Sequence, residues 1–153
     1  MSLEEELRVS KFQSSRHKLT VNILYTNNWL EGHMQVVFRA HGVTNQQYNI
    51  LRILRGVHPE PCTVQELKKR MLDKQPDASR LVDRLQAKKL VLRKSNAEDR
   101  RKMDVLITEE GLGLLERMDP EVAAFDDLFA GLSNKEVDQL NKLLDKARTY
   151  LKD

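Results

Sequence analysis

A mainly α-helical fold carrying one small β-hairpin is what this 153-residue sequence predicts, and three observations predict it. Apolar residues recur at helical period along most of the chain. Residues 63–108 read as helix, tight turn, second helix, then two short strands around a polar loop. Four prolines and six glycines leave little room for an all-β or loop-rich fold. The order of elements in 63–108 is that of a winged helix-turn-helix, in which one helix fits a major groove and a basic loop lies beside it. Amphipathic helices flank this module at both ends of the chain.

The elements follow in order. Leu19, Ile23, Leu30, Met34, Val37 and Phe38 line one side of a long N-terminal helix, about 3–41, that ends near His41-Gly42. Thr44-Asn45-Gln46-Gln47 has the form of a capping box, in which the hydroxyl accepts the N3 amide and Gln47 reaches back. Tyr48, Leu51 and Leu54 share a face of the helix it opens, and Gly56 stops it. Pro59 and Pro61 make the next segment a connector, because proline blocks a helix interior.

Thr63-Val64-Gln65-Glu66 is a second capping box, and Val64, Leu67 and Met71 follow as an apolar stripe. Asp73-Lys74-Gln75 forms the turn. Pro76 suits the first position of the next helix, where its missing N–H costs nothing. In that helix Ala78, Leu81, Val82 and Leu85 share one face, with Pro76, Ser79, Arg80 and Asp83 on the other. Residues 90–92 and 105–107 are the strand candidates. Glu109-Glu110-Gly111 starts a helix with acid at the positive end of its dipole. Leu112, Leu115, Met118, Val122, Phe125 and Leu128 continue the stripe, and Pro120 kinks or interrupts it. Ser133-Asn134-Lys135-Glu136 is a third capping box, ahead of a final helix with Val137, Leu140, Leu144, Ala147 and Leu151.

Charge is unevenly spread. Residues 63–108 hold 13 Lys/Arg against 7 Asp/Glu, and the rest of the chain 13 against 16. A basic module on an acidic body is the footprint of a duplex-binding surface. No apolar run approaches the length of a membrane span, no signal peptide is evident, and a single cysteine excludes a disulfide framework. These features lead us to expect a soluble cytoplasmic protein that forms one domain over 1–153, with its winged module at about 44–108.

Four segments carry a resemblance to a known family: V-T-N-Q-Q-Y-N-I-L-R-I-L at 43–54, T-V-Q-E-L-K-K-R-M at 63–71, A-S-R-L-V-D-R-L-Q-A-K-K-L-V-L-R at 78–93 and D-R-R-K-M-D-V-L-I-T-E-E-G at 99–111. They resemble the multiple antibiotic resistance regulator (MarR) family of bacterial repressors over essentially the whole chain. The resemblance implies a homodimer whose N-terminal (about 3–41) and C-terminal (about 109–152) helices interlock, and recognition helices that enter successive major grooves of a pseudo-palindromic operator. It implies wings in the flanking minor grooves and release by a small-molecule effector or an oxidant. The chain departs from the family at Lys89, where glycine is frequent. A lysine there either takes a left-handed conformation or ends the helix differently. It also lacks the N-terminal cysteine of oxidant-sensing members.

Site residues follow from the resemblance and the helical faces together. Arg80 lies on the outward face, where arginine can pair bidentately with guanine. Gln75, Pro76, Asp77 and Ser79 are its neighbours and candidates for base or phosphate contact. Arg84, one turn on, offers a phosphate contact or an ion pair near Asp83. Arg100, Arg101 and Lys102 carry the wing match. One arginine enters the minor groove and the other pairs with Asp99, and the sequence leaves open which does which. Tyr25, Trp29, Tyr48 and Arg52 either border a ligand cavity or pack in the core or interface. Cys62 reads as a small buried apolar residue rather than a redox switch. His17, His33, His41 and His58 lack ligand spacing, so no metal or cofactor is expected, and no catalytic constellation points to an enzyme. The alternative reading is a winged-helix module that binds protein instead of an operator.

Overall fold

The structure, a computed structural model, describes residues 2–73, 77–96, 99 and 101–149. It divides into two compact units, 1–118 and 119–153.

In the first unit the N-terminal region is two helices where one was expected. Helix α1 (Leu3–Leu7) opens with a capping box between Ser2 and Glu5 and ends at Arg8, whose backbone is left-handed (φ 52°). Helix α2 (Ser15–Ala40) starts afresh with the Ser14 hydroxyl accepting from the His17 amide. The two are tied by Lys18, which donates to both carboxylate oxygens of Glu4 at 2.7 and 2.9 Å. Along α2 the only buried side chain is Phe38, while Leu19, Ile23, Leu24 and Val36 are exposed.

Helix α2 closes in a left-handed turn. Gly42 (φ 73°) donates to the Arg39 carbonyl and Val43 to the Phe38 carbonyl, at 2.9 and 3.0 Å. This is the paired bonding of a Schellman motif, and the buried Phe38 and Val43 supply the apolar pair that accompanies it. Helix α3 (Asn45–Arg55) begins two residues later with the reciprocal Thr44–Gln47 box in place. It buries Tyr48, Ile50, Leu51, Ile53 and Leu54 and is the centre of the core. Tyr48 stacks on Phe38, with ring centroids 4.4 Å apart.

Strand β1 (Cys62–Thr63) has no counterpart in the sequence reading. It precedes helix α4 (Val64–Arg70), whose N-cap is Thr63. The Thr63 hydroxyl accepts from the Glu66 amide at 3.2 Å, while the Glu66 carboxylate lies 3.7 Å from Lys69. Helix α5 (Ala78–Ala87) buries Ala78, Leu81, Val82 and Leu85, the face expected from the periodicity. Strands β2 (Val91–Ser95) and β3 (Met103–Ile107) form the hairpin, with Arg93 opposite Val105. The sheet order is β1-β3-β2, so β3 is central, and Cys62 and Thr63 pair antiparallel with Val105 and Asp104.

Helix α6 (Glu109–Ala123) buries Gly111, Leu114, Leu115 and Met118. Pro120 sits inside it without ending it at once. The α-helix runs three residues further before giving way to a 3-10 turn (Ala124–Phe129). Proline removes one donor of the ladder, which a helix end tolerates better than a helix middle. In the second unit, helix α7 (Asn134–Thr149) starts at the Ser133 box, where Glu136 accepts from the Ser133 amide at 2.8 Å. None of its described side chains is buried, and Leu140 and Leu143 are open.

Candidate nucleic-acid interface

The candidate interface is built from α5 and the wing. Helix α5 starts at Ala78, and Asp77 rather than proline sets its first turn, because the Asp77 carboxylate accepts from the Arg80 amide at 3.2 Å. A second contact, 3.5 Å from the Arg80 Nε, holds the guanidinium beside the cap. Arg80 nevertheless remains 80% exposed on its side chain. Ser79 is half-buried and Arg84 exposed on the same helix. Gln75, Pro76 and Arg100 lie outside the described residues.

The other end of α5 is a second left-handed turn. Lys89 (φ 61°) donates to the Gln86 carbonyl and Leu90 to the Leu85 carbonyl, at 2.8 and 3.0 Å. Of the two routes open to a lysine here, the chain takes the left-handed one. For a residue with a Cβ this costs roughly 1–2 kcal/mol. Two further bonds hold the turn: the Thr108 hydroxyl donates to the Lys89 carbonyl at 2.8 Å, and the Thr108 amide to the Leu90 carbonyl at 3.1 Å. The end of α5 is thereby fixed to the start of α6.

Asp83, on the outward face of α5, pairs with Arg93 of β2. Asp83 therefore belongs to Arg93, ten residues on, rather than to its neighbour Arg84. The Arg93 side chain is mostly covered, and its Nε is buried. The pair ties the outward face of α5 to the root of the wing. The sequence reading missed it; two opposite charges on a helix and the strand that follows were the available signal.

The wing loop is organised by Asp99. Its carboxylate accepts from the Arg101 amide at 3.1 Å and from Arg101 Nε at 3.2 Å, with Lys102 Nζ 3.8 Å away. The Arg101 amide, its guanidinium and the Lys102 charge together hold the Asp99 carboxyl below its ordinary range. Asn96 spans the base of the loop. It donates to the buried Asp104 at 2.9 Å and accepts the Asp99 amide at 2.9 Å. Arg101 pairs with Asp99 while 93% of its side chain stays exposed.

Tyr25 and Trp29 stand one turn apart on α2, half-open, with Trp29 edge-on to His33 at 5.1 Å. Glu6 hydrogen-bonds the Tyr25 phenol and raises its pKa. Tyr48 is buried against Phe38, and Arg52 donates to the Asn49 carboxamide at 3.2 Å. Tyr48 is thus core packing on α3. Cys62 is buried in β1, and burial pushes its thiol pKa up. Among the described residues no cluster of three or more His, Cys, Asp or Glu could hold a metal, and no helix is long and apolar enough to cross a membrane.

Comparison with known proteins agrees with this architecture. A sequence model of the MarR family matches residues 41–102, from the turn after α2 to the end of the wing loop. The HTH-type transcriptional regulator MhqR of Bacillus subtilis is 30% identical over 116 residues, covering 75% of this chain and 79% of that protein. The homoprotocatechuate degradative operon repressor of Escherichia coli is 26% identical over 129 residues, 84% of this chain and 86% of that one. A cysteine-to-serine variant of MarR from E. coli, solved with operator DNA, superposes with a TM-score of 0.78 at 25% identity, covering 96% of this chain and 99% of that one. The family model covers the module from the turn after α2 to the wing loop, a regulator 30% identical matches three quarters of the chain, and the chain belongs to the MarR family.

Proposed function

We propose that this chain is a sequence-specific double-stranded DNA-binding transcriptional regulator, a cytoplasmic repressor released by a small-molecule effector or by stress. The observation that carries this reading is the outward face of α5, where Arg80 is poised by its own N-cap beside a wing of exposed basic residues. It is supported by the regulators among the relatives and by the operator bound to MarR of E. coli. The working unit is a homodimer spanning the whole of 1–153, with the flanking helices as its contacts. The open apolar residues of α2 and of α7 are the surfaces such a dimer would cover.

Within that reading, Arg80 reads bases in the major groove, with Ser79 and Arg84 beside it and Gln75 and Pro76 preceding it. Asp77 acts by fixing Arg80. Arg101 and Lys102 add backbone electrostatics while Asp99 shapes the loop, and since Arg101 is the arginine that pairs with Asp99, Arg100 is the candidate for the minor groove. Tyr25 and Trp29, with Arg52 on α3, are the residues of choice for an effector. Repression works by occupancy of a pseudo-palindromic operator, and an effector relieves it by favouring a dimer geometry that misaligns the two recognition helices.

Selection of bound genomic fragments tests the proposal directly. The expected outcome is enrichment of a pseudo-palindrome, with a mobility shift that survives moderate salt and excess random duplex. Retention of random and genomic DNA alike, or of neither, would overturn it in favour of a protein-binding winged helix.

A further inference from the structure

Lys88 forms a polar bridge between the end of the recognition helix and the end of the long N-terminal helix. It is the C-cap of α5, and its ammonium donates to the Gly42 carbonyl, 46 residues earlier in the chain. The same nitrogen lies 3.4 Å from Gln47 Oε1. That oxygen already accepts from the Thr44 amide at 3.1 Å, closing the capping box of α3. One ammonium thus joins three helix ends: the last turn of α2, the first turn of α3 and the last turn of α5.

The chemistry suits a lysine at this place. An ammonium has three donors and a long stem, so it can serve two acceptors at once. Helices α2 and α5 both point their negative poles toward it, and a cation at a helix C-terminus is favoured. The Gly42 carbonyl belongs to the left-handed residue that turns the chain from α2 into α3. Bending at that turn moves the carbonyl and, through Lys88, the end of α5. At the opposite end of α5, Asp77 caps the first turn by accepting from the Arg80 amide at 3.2 Å.

The geometry points to Lys88 as a positioning residue that sets the angle of the recognition helix to α2, and so the half-site spacing that the dimer accepts. It touches no base in this role. The inference rests on the operator-binding homodimer proposed above. In such a dimer the two copies of α5 are held apart through the flanking helices, and half-site separation is a geometric property of the protein.

The test uses the full-length protein and Lys88→Met, which keeps the stem and removes the ammonium, with Lys88→Arg as the rescue. The probes are a fragment selected by the parent protein, the same fragment with one base pair inserted or deleted at its centre, and a scrambled duplex, each over a salt series. Lys88→Met is expected to lose about fivefold or more of the parent's discrimination between spacings, with an unchanged salt slope. Lys88→Arg is expected to restore discrimination. Spacing discrimination that survives in Lys88→Met overturns the inference. So does a salt slope lowered by about one unit with spacing preference intact, which would make Lys88 a phosphate contact. If the parent selects no fragment, the operator-binding reading itself fails, and this role falls with it. A protease-protection profile of free Lys88→Met is a second readout: new cleavage near Gly42 is expected, and a profile identical to the parent's counts against the bridge.

Discussion

Gly111 lies so close to the Leu90 carbonyl that a Cβ built on it would sit 2.4 Å from that oxygen and 2.7 Å from Ile107 Cγ1. Backbone oxygen cannot swing aside as a flexible side chain can. Leu90 is the residue that closes the left-handed turn after α5, so the glycine lets α6 dock against the recognition helix's own terminus. Gly111→Ala should therefore destabilise by the upper part of the overpacking range, about 2–3 kcal/mol. The denaturant midpoint should fall with little change in slope. A midpoint within error of the parent would mean that α6 and this turn are not packed as described.

Lys89 predicts the opposite sign. Glycine there would relieve a left-handed penalty of about 1–2 kcal/mol, against about 0.4–1 kcal/mol of extra freedom in the unfolded chain. Lys89→Gly should raise stability by roughly half to one kcal/mol. Calorimetric melting of the two proteins decides it, and a lower midpoint for the glycine variant would contradict the proposed strain.

Arg80 and Arg101 should separate in a salt titration on operator and scrambled duplexes. Loss of a bidentate base contact costs about 1–3 kcal/mol per half-site, so Arg80→Ala should shrink the gap between the two DNAs. Arg101→Ala should weaken both and lower the salt slope by about one unit. Equal loss of specificity in the two variants would reject this division of labour.

Cys62 should be inert. Burial raises its pKa, so at neutral pH it stays a thiol, and the thiolate is the reactive form. Alkylation at pH 8 should be slow in the folded protein and rapid in urea, and Cys62→Ser should leave peroxide sensitivity of DNA binding unchanged. Oxidant release seen in the parent and lost in the serine variant would make Cys62 a switch after all.

Deleting residues 134–153 should remove the dimer. Helix α7 leaves Leu140 and Leu143 open, and apolar side chains placed along one helix ask for a partner. Sedimentation of the shortened chain as a folded dimer would move the interface elsewhere.

What the sequence made legible was local. The boxes at Thr44 and Ser133 form as their residues spell out, because a cap reaches only three residues. The inward face of α5 follows from its period, and the choice at Lys89 was visible as a choice. The break at Arg8 was not, since neither glycine nor proline marks it and the left-handed arginine is held by bonds back to α1. Strand β1 is two residues long and exists only through its pairing with β3. The Asp83–Arg93 pair and the Lys88 bridge join residues whose proximity depends on how α5 ends. A helical wheel cannot show that.

The short strand β1 gives the wing a fulcrum. Thr63 is at once a strand residue opposite Asp104 and the cap of α4. A hairpin held on one side only would flap, and its movements would die out in the loop. Pinned at Cys62 and Thr63, β3 would act as a lever arm in the operator complex proposed above: a displacement of the tip near Arg101 would turn about Val105 and reach the first turn of α4. The two halves of the duplex-facing surface would then share one mechanical linkage, and a wing seated askew would be felt in the scaffold that carries the reading helix.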